Sequence, residues 1–301
     1  MNELDAAKIY DFRLRESYAE CKRLNALHGK TYYLATLLLP KSKRPFVHAL
    51  YGFARFADEI VDDLASTLSP QEKADALSKW SAGVLLDLKN GTSQDSIGRA
   101  LVDTAKRFDI PHQHFVDFLH SMTMDLTITE YQSYEDLLAY VYGSAAVIGL
   151  EMVPVLGYSD AKAFEAAKKL GIAFQLANFI RDVGEDLDRG RVYLPLNELA
   201  EHGVDRQMLE RRILTPQIIS ALKFQIERVR KLQDEAAPGI ELLDKTSRPC
   251  IRAASELYCG IVDEVEAIGY DIFKKRAKTS TLRRARVAGR AYLQAIRARI
   301  R

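Results

Sequence analysis

Leu170–Pro195 reads LGIAFQLANFIRDVGEDLDRGRVYLP, and this stretch decides how the rest of the chain is read. Wound as a helix at ~100° per residue, it places Gln175, Asn178, Asp182 and Asp186 within ~80° of one another. Two carboxylates four positions apart on one face repel, by roughly 0.2–0.5 kcal/mol per pair. A solvated helix face more usually alternates its charges, so the pair suggests a cation between the carboxylates. Arg181, Arg189 and Arg191 point the same way: cations beside a metal site imply a ligand with more negative charge than the metal cancels. One such pair alone reads better as a solvated acidic helix end.

Tyr51–Asp63, YGFARFADEIVDD, changes that balance. Tyr51, Arg55, Asp58 and Asp62 fall within ~60° on the helical projection. Glu59 and Asp63 repeat the i,i+4 acidic spacing on the adjoining face. The chain therefore has two helices, far apart in sequence, each with a D-x-x-x-D face and an arginine nearby. Mg²⁺ takes oxygen ligands at about 2.0–2.1 Å and often shares a few carboxylates with substrate phosphates. Two such helices facing each other, with several Mg²⁺ between them, would hold diphosphates.

Composition bounds the rest. Of 301 residues, 48% are hydrophobic and 28% charged, which fits a globular protein with a sizeable core. No apolar run is read as reaching the ~20 residues that span a bilayer, and the charged N-terminus lacks a signal peptide's apolar core. Three unpatterned cysteines (Cys21, Cys250, Cys259) argue for a reducing, cytoplasmic setting and against disulfides or zinc. Histidine is also sparse, so an oxygen-ligated metal is the better expectation. A net charge of +2 is too small to imply nucleic acid. Lys274 to Arg301 nonetheless carries eleven basic residues and no acid. Leu282, Ala285, Tyr292, Ala295 and Ile296 could give it an apolar side, which reads equally as a last helix packed on the body or as a peripheral contact with an anionic inner membrane face. No protein partner is readable.

Helical periodicity dominates and strand signals are nearly absent. We expect helices over Leu4–Leu27, Lys43–Leu64, from the Ser69-Pro70 capping box to Lys89, Ile97–Phe108 and Pro111–Thr127. A long apolar helix should run from Ser133 to Leu156, and the helix carrying the second acidic motif should start at Ser159-Asp160. Further helices are expected from Thr215 to Ala236, Arg248 to Ile268 and Thr281 to Ile300. With no repeat or long linker, residues 1–301 make one all-α domain. Small residues at Gly143–Ala146, Gly149, Gly171 and Ala173 to Ala177 thin two of these helices, leaving room between them for a ligand chain.

The two acidic stretches resemble the aspartate-rich motifs of the squalene/phytoene synthase family, the head-to-head prenyltransferases. DEIVD (Asp58–Asp62) is similar to the first motif, and Gln175–Pro195 to the second nearly throughout; the similarity runs from about His28 to Lys275. His28-Gly-Lys-Thr-Tyr32 resembles the family's diphosphate-binding H-S-K-S-F segment, departing at Gly29, Thr31 and Tyr32. HALYGFAR (His48–Arg55) resembles the approach to the first motif, and Tyr140-Val-Tyr142 with Ala145 and Gly149 is similar to Y-C-Y-x-V-A-G-T-V-G. Tyr258 resembles a late tyrosine that closes on substrate phosphate, followed by a basic residue that is Lys275 or Arg276; we take Lys275.

The resemblance implies the isoprenoid synthase fold, a helical bundle with a deep central cavity. It implies Mg²⁺ (Mn²⁺ as substitute) on Asp58, Asp62, Asn178, Asp182 and Asp186. Diphosphate would be bound by His28, Lys30, Thr31, Tyr51, Arg55, Gln175, Arg181, Arg191, Tyr258 and Lys275, with Tyr140 joining the aspartates as a catalytic residue. Two allylic diphosphates would join through a cyclopropyl diphosphate, and Tyr32, Tyr140 and Phe174 are candidates to face the carbocation. RDVGEDLDRGRVYLP and LYGFARFADEIVD agree closely with bacterial phytoene synthases, favouring geranylgeranyl diphosphate, a C40 carotenoid precursor and no NADPH. Thr36 and His48 stand where shorter-chain relatives place bulky aromatics, which also favours a longer pocket. The rival readings are a farnesyl-using enzyme giving squalene, dehydrosqualene or presqualene diphosphate, a class I terpene cyclase, and a non-catalytic helical scaffold. A cyclase's second motif usually carries a hydroxyl and a glutamate where this chain has Asp182 and Asp186.

Overall fold

The computed structural model describes residues 2–62 and 68–300, the side chains of Lys30, Asp62 and Pro70 excepted. Asp63, half of the second acidic pair, lies outside the described residues, as do the side chains of Asp62 and Lys30. The described chain is all-α. In order, its helices are α1 (Glu3–Ala6), α2 (Phe12–His28), α3 (Lys30–Thr36), α4 (Arg44–Asp62), α5 (Pro70–Asn90), α6 (Ser96–Phe108), α7 (His112–Met124) and α8 (Tyr134–Val141). There follow α9 (Val147–Leu156), α10 (Lys162–Asp188), α11 (Leu196–Glu201), α12 (Arg206–Glu210), α13 (Pro216–Ile240), α14 (Arg248–Tyr258), α15 (Ile261–Ala267) and α16 (Thr281–Ile300). Among the described residues no strand forms, only two isolated bridges, Glu130 with Val192 and Tyr158 with Leu243.

Capping chemistry sets many of the boundaries. Ser69 with Glu72 and Ser133 with Asp136 close reciprocal capping boxes at the starts of α5 and α8. Thr215 accepts from the Ile218 amide ahead of Pro216, and Gly91 takes the left-handed conformation after α5.

Tertiary contacts alter what periodicity alone suggests. The expected first helix breaks between Ala7 and Asp11, where Ile9 turns fully inward and Asp11 caps a new start by accepting from the Leu14 amide. The expected Arg248–Ile268 helix breaks at Cys259-Gly260, where Arg283 of α16 donates to the Gly260 carbonyl and pairs with Asp263 and Glu264. The apolar 133–156 helix is interrupted by a π-helical turn at Tyr142–Ala146. A Cβ on Gly143 would lie 2.2 Å from the Asp117 carbonyl oxygen, so that turn presses directly on α7. The two short helices α11 and α12 carry no periodic run long enough to read.

Buried apolar side chains form two clusters. One holds Tyr18, Leu50, Phe53 and Leu101 around α2, α4 and α6; the other holds Ala173, Ile180, Ile226 and Val229 around α10 and α13. Ile251 of α14 packs against both. Contrary to the sequence reading, one helical stretch, Tyr134–Leu156, is apolar and long enough to cross a bilayer. Here it packs against α7 and α10. On α16, Val287, Ala291 and Ala295 are the residues buried, and α16 packs on α14, whereas Leu282 and Tyr292 of the expected apolar side are 81% and 58% exposed.

Candidate active site

The acidic faces of α4 and α10 meet across one cavity. Tyr51, Arg55 and Asp58 line it from one side, and Gln175, Asn178, Arg181, Asp182 and Asp186 from the other. Arg189, Arg191 and Tyr193, just beyond α10, line it as well, as do Tyr140, Ser144 and Asp125. The two D-x-x-x-D stretches thus bring Asp58, Asp182 and Asp186 to one cavity.

The apolar space beside this cavity is shaped by small residues. Ser144, Ala145, Ile148, Gly149 and Met152 line it opposite Ala163, Ala166, Ala167, Leu170, Gly171, Phe174, Gln175 and Asn178. Gly149 and Gly171 also let the helices touch, since a Cβ on either would fall 2.5 or 2.6 Å from the carbonyl oxygen of Ala167 or Ala145. Small residues thus serve close packing and cavity together. Thr36 lines this space. His48 does not: it is fully buried, hydrogen-bonded through Nδ1 to Asn25 at 2.9 Å and stacked on Tyr33.

A third opening is ringed by His28, Thr31, Tyr32, Tyr51, Arg181, Tyr258, Arg276, Lys278 and Arg284. Asn178 borders all three spaces. Lys275 is exposed and lines none of them. Its neighbour Arg276 lines the third opening, donating to both Asp182 oxygens at 2.8 and 3.1 Å and lying 3.2 Å from Glu185.

The carboxylates are unequal. Burial works to raise Asp182, but hydrogen bonds and charge from Arg181 and Arg276 outweigh it and hold the acid below its usual range. Burial, with Asp182 adding like charge, pushes Asp186 up to about 7 despite Arg189 and Arg191. Arg55 pairs with Asp58 and lies 3.8 Å from Glu59. The Asn178 Oδ1 is buried and has no protein partner. Hard carboxylate oxygens with an uncommitted amide oxygen suit Mg²⁺ or Mn²⁺ and not a thiophilic ion. Among the described residues, however, no three His, Cys, Asp or Glu side chains converge closely enough to grip one ion.

Two residues at the site escaped the sequence reading. Asp125, the residue after α7, accepts from Tyr140 Oη at 2.6 Å and from Tyr193 Oη at 2.9 Å. Its backbone carbonyl accepts from Arg191 at 2.8 Å. Tyr193, given no role by the sequence, stacks on Phe179 at 4.1 Å and beside Tyr140 at 5.7 Å. Asp125 belongs to no acidic pair, so spacing offers no signal for it.

The squalene/phytoene synthase family model matches residues 26–283. The chain belongs to the squalene/phytoene synthase family. It is 40% identical over 274 residues to the chloroplastic phytoene synthase 2 of Solanum lycopersicum, covering 89% of this chain and 87% of that one. It is 38% identical over 290 residues to phytoene synthase 1 of Arabidopsis thaliana, covering 94% and 68%. A dehydrosqualene synthase crystal structure superposes with a TM-score of 0.84 at 28% identity, covering 94% of this chain and 98% of that one. A squalene synthase from Alicyclobacillus acidocaldarius, 23% identical, shares the fold at a TM-score of 0.80, over 88% and 98%. The bundle is therefore the isoprenoid synthase fold expected from the sequence. Members of this family are metal-dependent prenyltransferases that condense prenyl diphosphates head to head.

Proposed function

We propose that this protein is a phytoene synthase acting as one unit, joining two geranylgeranyl diphosphates through a cyclopropyl diphosphate to the C40 hydrocarbon of carotenoid synthesis. The observation that carries the reading is the apolar space that follows α10 away from the acidic cavity. From Asn178 to Ala163, both lining it, the helix rises ~22 Å over fifteen positions at ~1.5 Å each. That length suits a stretched tail of four isoprene units better than one of three. The similarity to phytoene synthases supports the same substrate.

Asp58, Asp182, Asp186 and Asn178, with Asp62, would hold Mg²⁺. A bound divalent ion supplies Lewis-acid polarisation of the leaving diphosphate. Arg55, Arg181, Arg191 and Arg276 take up the negative charge of the released group, as guanidinium forks do well. His28, Thr31 and Tyr258 hold the second diphosphate at the third opening. The tails lie among Leu170, Phe174, Ile148 and Met152, which keep water from the allylic cation. Tyr140 and the Phe174–Tyr258 stack, with ring centroids 5.0 Å apart, offer ring faces to that cation. Exposed Leu282, Leu293 and Ile300 beside the arginines of α16 are what a peripheral contact with anionic lipid would use.

Purified protein supplied with farnesyl or geranylgeranyl diphosphate and Mg²⁺, with and without NADPH, is expected to give phytoene from the C20 substrate without reductant. Exclusive C30 product would reject the assignment in favour of the squalene or dehydrosqualene reading.

A further inference from the structure

Tyr140 is held at both ends. Its backbone carbonyl accepts from Ser121 Oγ at 2.8 Å, and its hydroxyl donates to Asp125 at 2.6 Å. Both anchors sit at the end of α7, which the π-helical turn approaches closely only because residue 143 is glycine. Asp125 is fixed in turn: its amide donates to the Ser121 carbonyl at 3.2 Å, and Arg191 grips its own carbonyl. A phenol has a single hydrogen to give. Once that hydrogen is committed to a carboxylate, the oxygen has only lone pairs left to present to anything else. Tyr140 lines the polar cavity, so it meets a ligand there as an electron-rich oxygen and ring, and not as a donor.

We infer that Asp125 is a positioning residue: by holding the hydrogen of Tyr140 it aims the phenol's lone pairs and ring at the place where positive charge develops. A preset dipole of that sign favours a cation without rearranging during reaction. The inference rests on the reaction proposed above, and its tests separate the two. The competing role is direct, since Asp125 lines the same cavity as Asp182 and Asp186 and could bind an ion itself.

Asp125→Asn weakens a charged hydrogen bond and should lower kcat about 10- to 100-fold. The KM for prenyl diphosphate and the Mg²⁺ concentration for half-activity should stay within about twofold, and more cyclopropyl diphosphate should remain beside hydrocarbon. In a Tyr140→Phe background the same change should cost less than about twofold, because its target is gone. Equal losses in both backgrounds would reduce Asp125 to a structural part and overturn the inference. A rise of about tenfold in the Mg²⁺ requirement would make it an ion ligand and overturn it as well. The Tyr140 ¹³Cζ resonance, assigned by its loss in Tyr140→Phe, should move in Asp125→Asn. An unmoved resonance refutes the contact whatever the substrate proves to be. A moved one in a protein that makes no hydrocarbon upholds the contact and rejects the reaction.

Discussion

Ala163 marks the end of the apolar space farthest from Asn178 along α10, and it is 2% exposed. Ala163→Phe puts a benzyl group where the last isoprene unit of a C20 tail would lie. Five carbons that lose burial at ~0.8 kcal/mol each cost ~4 kcal/mol, about a thousandfold in kcat/KM. A farnesyl tail ends one unit earlier and keeps its contacts. If relaxation of the wall recovers half of that energy, about 30-fold discrimination against the longer substrate remains. Overpacking should cost the fold about 1–3 kcal/mol, so thermal unfolding comes first, with Ala163→Leu as a milder variant. The assay is competition between the C15 and C20 diphosphates, with product chain length read by mass spectrometry. A folded variant that keeps the wild-type preference would refute the proposal that tails run along α10.

Gly143→Ala should lower stability by about 1–3 kcal/mol, because its Cβ meets helix α7 and the ~1 kcal/mol propensity gain of alanine does not offset the clash; denaturant unfolding would show it, and a stabilised variant would contradict it. Arg276→Ala should raise the KM for prenyl diphosphate about tenfold, whereas Lys275→Ala should change it less than about twofold; reversed effects in steady-state kinetics would restore Lys275 as the ligand. Burial holds His48 down at about 4 against an ordinary value of 6.5. A depressed value means that its contribution is complete above pH 6.5 and is lost as pH falls through about 4. The full loss is up to about 3 kcal/mol, from about 2.5 units at 1.36 kcal/mol each. His48→Gln should flatten the unfolding free energy over that window; an unchanged slope would show that other groups set it.

The acidic faces were legible because helical period and charge are both local. Asp182 and Asp186 share a face whatever surrounds them, and an i,i+4 carboxylate pair advertises its need for a cation. Caps were legible for the same reason: Ser69, Ser133 and Thr215 each bond an amide three residues on. Arg276 could not be separated from Lys275 by position alone, because only the turn after α15 decides which of two adjacent cations swings toward Asp182. The family resemblance made His48 a cavity-wall residue, yet Asn25 of α2 holds it in the core.

By itself the sequence determined where most of the long helices form, which of their faces carry charge, and the family to which those faces belong, since each depends on neighbours within a turn or two. Tertiary structure alone decided that Asp58 shares a cavity with Asp182 and Asp186, that Arg283 reaches the Gly260 carbonyl, and that Asp125 takes the hydrogen of Tyr140. Those contacts join residues between 15 and 128 positions apart. No local period encodes them; they exist because helices far apart in the chain bury their apolar sides together and their polar groups are carried with them.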